Sequence, residues 1–254
     1  MTAIAILGLG EAGSAIARDL AAAGVAVRGY DPAARGDFAT AAEAAGRADA
    51  VLSLNAAAVA LEVAESVVSV LAADQLYADL NTATPGAKRE VASVVARSGA
   101  EFADVALLGP VPGNGVRTPA LASGSGAERF AQLLGPLGMP VTIVGTEPGD
   151  AAARKLVRSV FAKGLAAAVG EALGAAERLD CEEWLHAEIG RALEAADAAY
   201  LERLIDGSRR HATRRGEEMA AAVAMLEELG VEPRVAAAAE EWLRSLAQQS
   251  EVSS

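Results

Sequence analysis

A strand–turn–helix–strand unit at the start of the chain constrains the fold more than any other feature. Ala3–Leu7 is a charge-free apolar run, and the glycine-rich hexapeptide Gly8–Gly13 follows it directly. A helical stretch over Ser14–Ala23 comes next, followed by a second apolar run over Val25–Tyr30 that ends on Asp31. This order of elements, with an acid eighteen residues after the last glycine, is typical of a dinucleotide-binding βαβ unit.

The three glycines of the turn have separate predicted roles. Gly8 permits a tight turn out of the strand, Gly10 lets a pyrophosphate approach the backbone, and Gly13 lets the helix pack closely on the strands. The helix N-terminus then offers amide N–H groups and a partial positive charge to the phosphates. We therefore predict that the whole hexapeptide binds the cofactor: Gly8, Leu9, Gly10, Glu11, Ala12 and Gly13.

Asp31 bears on the choice between NAD and NADP. Its carboxylate can accept hydrogen bonds from the adenosine ribose hydroxyls. A 2′-phosphate about 4 Å away would cost about 4 kcal/mol at an effective dielectric of about 20, which favours NAD. Arg28 and Arg35 lie close enough in sequence to offset this repulsion, so NADP stays open. The alternative interpretation is a solvated turn aspartate before Pro32.

Short strands alternate with helices through the rest of the first 147 residues. The predicted strands are Ala50–Leu54, Leu76–Leu80, Glu101–Leu107, Ala120–Ser123 and Val141–Val144. The predicted helices run from about Val59 to Leu71, from Pro85 with Thr84 as its N-cap to Gly99, and from a Ser125–Glu128 capping box to Leu134. Strands that alternate with helices indicate a parallel sheet of the Rossmann type.

Polar residues follow several of these strands. Ligands of open parallel sheets bind beyond the carboxyl ends of the strands, so Asn55, Asn81 and Thr82 are predicted to contact cofactor or substrate. The alternative is that these side chains bond only to their own turns. The loop Gly109–Pro119 also follows a strand, and we interpret it as a wall over the site, with a plain connector as the alternative.

Composition and charge exclude several classes of partner. The net charge of −12 is divided equally between residues 1–147 and 148–254, which opposes nucleic acid or an anionic membrane as the main partner. Cys181 is the single cysteine, so we expect no intrachain disulfide, a cytoplasmic location and, with only two histidines, no zinc or other metal site. We also expect no signal peptide and no membrane span, which needs about 20 apolar residues.

The second part of the chain is predicted to be all helical. A long linking helix is expected over residues 150–179, because no proline interrupts them and every turn is apolar. Further helices are predicted over Cys181–Ile205, Ser208–Leu229 and Arg234–Gln248, with a loose polar tail from Gln249. The predicted architecture is thus an α/β fold: a doubly wound Rossmann-type domain, residues 1–147, followed by an all-α C-terminal domain, residues 148–254.

A polar stripe interrupts the apolar surface of the long helix. Lys155, Ser159 and Lys163 recur every four residues, and Arg158 lies beside them. At 100° per residue these four side chains share one side of the helix. The stripe faces either solvent or a polar cleft, and spacing alone leaves both open.

Several segments together resemble the β-hydroxyacid dehydrogenase superfamily, which includes 6-phosphogluconate and 3-hydroxyisobutyrate dehydrogenases. The matching pieces are the Gly8–Gly13 loop, Asp79–Pro85 against "D-x-S-T-x-x-P", Gly149 followed by Lys155, and Glu171-Ala172-Leu173 against "E-A-L". Leu108–Pro112, Lys155–Gly164 and His211–Pro233 more closely resemble its 6-phosphogluconate-dehydrogenase-like branch, which has a short helical C-terminal domain of unknown function.

The resemblance implies an NAD(P)-dependent oxidoreductase that transfers hydride between a nicotinamide cofactor and a small hydroxy or keto acid. It implies that Lys155 is the general acid/base, and that the chain forms a homodimer through its C-terminal helices. The expected contacts of the anionic substrate are Gly109, Pro110, Arg158, Ser159 and Lys163.

Two residues depart from the family pattern. Leu108 stands where typical members have a serine that helps to hold the substrate carboxylate, and Ser159 stands where they have asparagine. Both changes point away from the usual small hydroxyacids, 6-phosphogluconate included. Two alternatives therefore stay open: a reductase of C=N bonds on the same scaffold, and a non-catalytic protein that binds and senses a nucleotide.

Overall fold

The structure is a computed structural model that describes residues 2–34 and 36–252. Its strands are β1 Ala3–Leu7, β2 Ala26–Tyr30, β3 Ala50–Ser53, β4 Leu76–Asp79, β5 Glu101–Leu107, β6 Ala120–Ser123 and β7 Val141–Gly145. Its helices are α1 Glu11–Ala22, α2 Ala41–Ala45, α3 Ala60–Val67, α4 Pro85–Ala96, α5 Ala127–Leu134, α6 Asp150–Arg178, α7 Glu182–Glu194, α8 Ala198–Arg210, α9 Ala212–Glu228 and α10 Arg234–Val252.

All seven strands form one sheet in the order β2-β1-β3-β4-β5-β6-β7. Strands β1 to β5 are parallel to one another, and β6 is antiparallel to β5. The order reverses at β1, which lies between β2 and β3. In sheets of this kind ligands bind beyond the carboxyl ends of the strands at such a reversal, where the glycine turn after β1 lies.

Both faces of the sheet are buried, which explains the absence of charge from β1. Ile4 and Ile6 point into an apolar layer that includes Ile16 and Leu20 of α1. Ala5 and Leu7 point into the opposite layer, with residues of α2, α3 and α4. Parallel strands covered on both sides are apolar throughout rather than alternating. The predicted α/β class with a Rossmann-type sheet is confirmed.

The chain divides into two compact units, residues 1–158 and 159–254. The division lies inside α6, whereas the sequence places a boundary at 147/148. The reason is that the first turn of α6 hydrogen-bonds to the sheet: Asp104 Oδ2 accepts from the amides of Gly149 and Ala152 at 3.1 and 3.0 Å.

Every element in the described part of the second unit is a helix, and α9 and α10 pack on each other. Its buried core is small and includes Ala175, Leu226 and Ala236. Glu171 on α6 accepts hydrogen bonds from the amides of Val235 and Ala236 at 2.7 and 2.8 Å, so its carboxylate caps the N-terminus of α10.

Several predicted helices differ from the observed ones. Residues 181–205 do not form one helix: α7 ends at Glu194, and the side chain of Asp197 accepts a hydrogen bond from Tyr200 N and begins α8. The tail from Gln249 is not loose up to Val252, because α10 continues to that residue. The short helix α2 was not predicted, and α3 ends at Val67 rather than Leu71.

The predicted Ser125–Glu128 capping box is wrong. Gly126 is the N-cap of α5, and no side chain bonds there. The Ser125 hydroxyl instead accepts a hydrogen bond from Phe102 N of β5 at 3.1 Å. The cap predicted for α4 is confirmed, since Thr84 Oγ1 accepts from Ala87 N and Pro85 is the first helical residue.

Candidate functional site

The three glycines of the turn after β1 differ in the space around them: two are tightly packed against backbone atoms and the third is open. A Cβ atom on Gly8, whose φ is +105°, would lie 2.3 Å from the carbonyl oxygen of Leu54, and one on Gly13 would lie 1.9 Å from that of Gly8. A Cβ on Gly10 would meet no atom within 4 Å. The backbone at Gly10 is therefore open to a ligand, as the sequence predicts.

The N-terminus of α1 supplies the donors for that ligand. Gly10 is the N-cap, and the first intrahelical bond runs from Ser14 N to Gly10 O at 2.9 Å. The amides of Glu11, Ala12 and Gly13 precede that bond, so they belong to the helix end whose N–H groups have no intrahelical acceptor. This end also carries the positive end of the helix dipole. The turn thus fits a pyrophosphate.

Asp31 holds the turn from the end of the neighbouring strand. Its Oδ2 accepts from Leu9 N at 2.8 Å, and its Oδ1 accepts from Ala33 N and Ala34 N at 2.8 and 3.0 Å. Partial burial alone would raise the pKa of Asp31, but the amides of Ala33, Leu9 and Ala34 outweigh it and lower the pKa. The carboxylate therefore stays ionised at neutral pH and still has lone pairs for a hydroxyl group.

A cavity of about 520 Å³ lies between the ends of the first strands and helices α2 and α3. Leu7, Tyr30 and Pro32 line one side, and Thr40, Val59 and Glu62 are among the residues on the other. Its position beside Asp31 and its volume suit the adenosine half of a dinucleotide.

The polar residues after β3 and β4 bond to one another. Asn55 N donates to Asn81 Oδ1, and the side-chain amides of both asparagines donate to the Ser53 hydroxyl, at 2.9 Å from Asn55 and 3.1 Å from Asn81. These bonds bridge the carboxyl ends of two neighbouring strands. Asn55 therefore has a structural role at this edge of the sheet, and the ligand contact predicted for it stays a prediction.

Lys155 reaches the loop that follows β4. Its Nζ donates to Thr82 Oγ1 at 2.8 Å, across 73 residues of sequence. Thr82 and the glycine turn both follow strands of the parallel part of the sheet, at the edge where ligands bind. A predicted proton-transfer group and a predicted nucleotide site therefore belong to the same edge of the first unit.

A buried ion cluster lies beneath this edge. Lys88 of α4 is 1% exposed, and its Nζ lies 3.3 Å from both Asp79 Oδ2 and Asp104 Oδ1. Lys88 Nζ also donates to the carbonyl of Asp79 at 2.7 Å. Ser123 donates to Asp104 at 3.3 Å and accepts from Ala151 N at 3.0 Å. The cluster joins β4, β5, β6, α4 and the start of α6.

Lys88, Asp104 and Ser123 were not among the residues predicted from the sequence. One signal was present, since Asp104 is a lone acid inside the apolar run of β5. A charge in a strand buried on both faces requires a partner. The identity of that partner depends on how α4 packs on the sheet, which one sequence does not state.

The remaining predicted substrate contacts lie on the loop after β5 and along α6. Gly109 and Pro110 are exposed in the loop after β5, which is closed at its base by Leu108 N to Pro119 O at 2.8 Å and tied to α1 by Val116 N to Asp19 Oδ2 at 2.9 Å. Along α6, Arg158 and Lys163 are exposed and Ser159 is half-buried.

Two kinds of feature are absent from residues 2–34 and 36–252. No three His, Cys, Asp or Glu side chains there lie close enough together to hold a metal ion. No helix in the same residues has the length and apolar character needed to cross a membrane.

Comparison with known proteins adds two family matches. Residues 3–145 match the NAD-binding domain of 6-phosphogluconate dehydrogenase, and residues 176–246 match a domain of unknown function. A curated relative, an uncharacterised 28.5 kDa protein of Methanothermus fervidus, is 27% identical over 104 residues, which is 41% of this chain. The match spans about two fifths of that relative's length, 39%.

Solved structures share the fold over almost the whole chain. The conserved protein MTH1747, of unknown function and described as similar to 3-hydroxyacid dehydrogenases, is 29% identical, with 97% of this chain and 98% of that chain covered and a TM-score of 0.63. An imine reductase from Myxococcus stipitatus in complex with NADP+ is 18% identical, with 97% and 94% covered and a TM-score of 0.82. At that identity the second likeness shows the fold alone.

The first family match covers more than half of the chain and ends where the sheet ends. It includes the glycine turn, Asp31 and Thr82, which the structure brings to the carboxyl ends of the strands. The protein therefore belongs to the family defined by the NAD-binding domain of 6-phosphogluconate dehydrogenase.

Proposed function

We propose that this protein is an NAD(P)-dependent oxidoreductase that acts on a small acid bearing a hydroxyl or keto group, with Lys155 as its general acid/base. The observation that carries the proposal is the 2.8 Å hydrogen bond from Lys155 Nζ to Thr82 Oγ1. It holds a primary amine at the sheet edge that also carries the glycine turn.

The bound nicotinamide cofactor would supply or accept the hydride. In the reducing direction the Lys155 ammonium donates a proton to the oxygen of the carbonyl as that oxygen gains negative charge. In the oxidising direction the neutral amine accepts the hydroxyl proton. Thr82 accepts a hydrogen bond from Nζ and orients the amine. Its own O–H can at the same time donate a hydrogen bond to a substrate oxygen.

The substrate is proposed to be an anion. Arg158 and Lys163 are exposed cations on α6, and Ser159 lies between them as a neutral donor. Gly109 and Pro110 begin the exposed loop after β5, and Gly109 has no neighbour within 4 Å of its Cβ position. Leu108, unlike serine, has no side-chain donor, so a carboxylate there would depend on backbone amides or on the cations of α6.

NAD is the proposed preferred cofactor. Arg28 does not serve as a ready partner for a 2′-phosphate, because its guanidinium donates to the carbonyls of Ala44 and Glu43 and stacks 4.1 Å from the Phe38 ring centroid. Glu62 lines the adjacent cavity. Two carboxylates, Asp31 and Glu62, would then oppose a phosphate. Arg35 lies outside the described residues.

Reduction of a C=N bond is the second candidate. The observation that favours it is the full-length fold likeness to imine reductases, with a TM-score of 0.82 for the Myxococcus stipitatus enzyme. Lys155 favours alcohol or carbonyl chemistry, because an oxygen that gains negative charge needs a proton. A nucleotide sensor without catalysis is the third candidate, and Leu108 and Ser159 are the departures that support it.

Two measurements, made one after the other, test the proposal. Fluorescence titration with NADH and NADPH comes first, and tighter binding of NADH is expected. Turnover of a panel of hydroxy, keto and imino acids follows, in the wild type, in Lys155→Ala and in the matched control Arg154→Ala, which removes an exposed cation of the same helix that no proposed contact uses. We expect Lys155→Ala to abolish turnover without changing NADH affinity. Turnover that survives Lys155→Ala would refute the assigned mechanism.

We also propose that the protein is a homodimer that uses the apolar surface of α6. Val157, Val160 and Phe161 are 72%, 76% and 71% exposed, and their spacing places them on one side of that helix. Three large apolar side chains so exposed are typical of an interface. Light scattering should give twice the mass of one chain, and Phe161→Asp should give monomers. A monomeric wild type would refute this assembly.

A further inference from the structure

The Lys88–Asp79–Asp104 cluster is a set of buried charges that the proposed chemistry does not use. Asp79 and Asp104 are fully buried, and Lys88 is 1% exposed. Burying three ionisable groups is expensive, and well-packed apolar residues of similar volume serve stability as well or better. Stability alone therefore does not account for the cluster, and the hydrogen-bond partners of each carboxylate suggest a further role.

Asp104 holds the helix that carries Lys155. Its Oδ2 accepts from Gly149 N and Ala152 N at 3.1 and 3.0 Å. Ser123, which donates to Asp104, accepts from Ala151 N at 3.0 Å. Three amides at the start of α6 thus bond to side chains of β5 and β6. Lys155 lies one turn further along the same helix, so these three hydrogen bonds also fix the position of its backbone.

Asp79 holds the loop that carries Thr82. Its Oδ1 accepts from Asn81 N at 2.9 Å, and its carbonyl accepts from Lys88 Nζ at 2.7 Å. Two residues beyond Thr82, the Thr84 cap begins α4, which in turn carries Lys88. The loop is therefore fixed at both of its ends to the cluster.

The two anchored segments also touch. Gly149 has a φ of +101°, and a Cβ there would lie 2.8 Å from the carbonyl oxygen of Pro85, the first residue of α4. The start of α6 and the start of α4 are thus packed backbone to backbone. Lys88 links the two segments, because its Nζ lies 3.3 Å from the carboxylate of Asp79 and 3.3 Å from that of Asp104.

We propose that the Lys88–Asp79–Asp104 cluster, with Ser123, is a positioning device that holds Lys155 Nζ on Thr82 Oγ1. Lys88, Asp79 and Asp104 are positioning residues, because they act through the start of α6 and the loop after β4. The inference deepens the proposed function, on which its catalytic meaning rests. Its test measures the Lys155–Thr82 contact directly and needs no substrate.

The chain offers a sharp assay, because Lys88, Lys155 and Lys163 are its only lysines. Acetic anhydride labelling followed by mass spectrometry gives a rate for each of them in the full-length protein. Lys163 is exposed on the same helix and serves as the internal reference. Amide hydrogen exchange of a peptide that covers residues 149–152 reports on the anchor itself. Thr82→Val removes the oxygen that Lys155 contacts, without touching the cluster.

We expect Asp104→Asn to raise the labelling rate of Lys155, relative to that of Lys163, by about fivefold, the change expected when one hydrogen bond is lost. Thr82→Val should raise it by a similar factor. The double variant should be no faster than either single one, since both changes remove the same contact. Ser123→Ala is the milder variant if Asp104→Asn fails to fold, and it should show a smaller rise with the same non-additivity.

Two results would overturn the positioning role. In one, amide hydrogen exchange at residues 149–152 becomes faster in Asp104→Asn or Ser123→Ala, but the labelling rate of Lys155 does not change. That result is expected of a cluster that only stabilises the fold. The other is a rise that adds to that of Thr82→Val. These outcomes are separate from a failure of the proposed function, which appears as turnover that survives Lys155→Ala while the labelling pattern stands.

Discussion

Gly13 and Gly10 differ in what a single methyl group would do, although both are glycines of the same turn. In Gly13→Ala the new carbon would lie 1.9 Å from the carbonyl oxygen of Gly8, against ordinary contacts of 3.4 Å or more, so about 1.5 Å of movement is required. Gly8 cannot supply it easily, because its amide bonds to Tyr30 O at 2.8 Å and its own Cβ position lies against Leu54 O.

The magnitude follows from two opposing effects. Alanine is better than glycine inside a helix by about 1 kcal/mol. Overpacking against a rigid backbone costs about 1–3 kcal/mol, and more where nothing can move. We expect Gly13→Ala to lower the free energy of unfolding by about 2 kcal/mol, or to lower the Tm by roughly 4–8 °C for a unit of this size.

Gly10→Ala is the matched control. Its methyl group meets no atom within 4 Å, so the stability change should stay below about 1 kcal/mol, the scale of an N-cap substitution. The methyl group occupies the space predicted for phosphate, and NADH affinity should fall at least about tenfold, or about 1.4 kcal/mol. Urea unfolding and NADH titration measure the two effects. Wild-type stability in Gly13→Ala would refute the packing argument, and wild-type affinity in Gly10→Ala would refute the phosphate site.

Three further changes test other parts of the first unit. Lys88→Met leaves two buried carboxylates without their cation and should cost about 3–5 kcal/mol in urea unfolding at pH 7; a neutral result would mean that water reaches the cluster. The lowered pKa of Asp31 implies stability that is present above its unfolded value of 3.8 and is lost as the pH falls through the folded pKa, so the stability difference between wild type and Asp31→Asn should shrink below pH 3.8; a constant difference would contradict the role of the ionised carboxylate. Thr84→Ala should cost about 1 kcal/mol through loss of the α4 cap, and equal stability would show that the cap is dispensable.

Local signals predicted the elements whose cause is local. The strands predicted over Ala3–Leu7 and Glu101–Leu107 coincide with β1 and β5, and the Thr84-Pro85 start of α4 is observed. The capping-box pattern at Ser125 failed for a tertiary reason, because the Ser125 hydroxyl bonds to the neighbouring strand at Phe102 instead of to its own helix. The break between α7 and α8 was missed because Asp197 was not recognised as a cap.

The residues of the candidate site also fall into two groups: those that local sequence predicts and those that only tertiary structure brings together. The glycine turn and Asp31 were found from spacing, because they lie within one βαβ unit and their geometry follows from about thirty consecutive residues. The roles of Thr82 and Lys155 as partners could not be found, since 73 residues separate them. Only the packing of α6 against the sheet edge brings the amine and the hydroxyl together.

The sequence by itself determined the class of fold, the nucleotide turn and the length of α6, because periodicity, glycine spacing and the absence of proline act over a few turns of chain. Tertiary structure alone decided which charge pairs with which. Lys88 meets Asp79 and Asp104 only because α4 packs on the face of the sheet into which both acids point. Burial makes such a pairing obligatory, but the sheet order selects the partners.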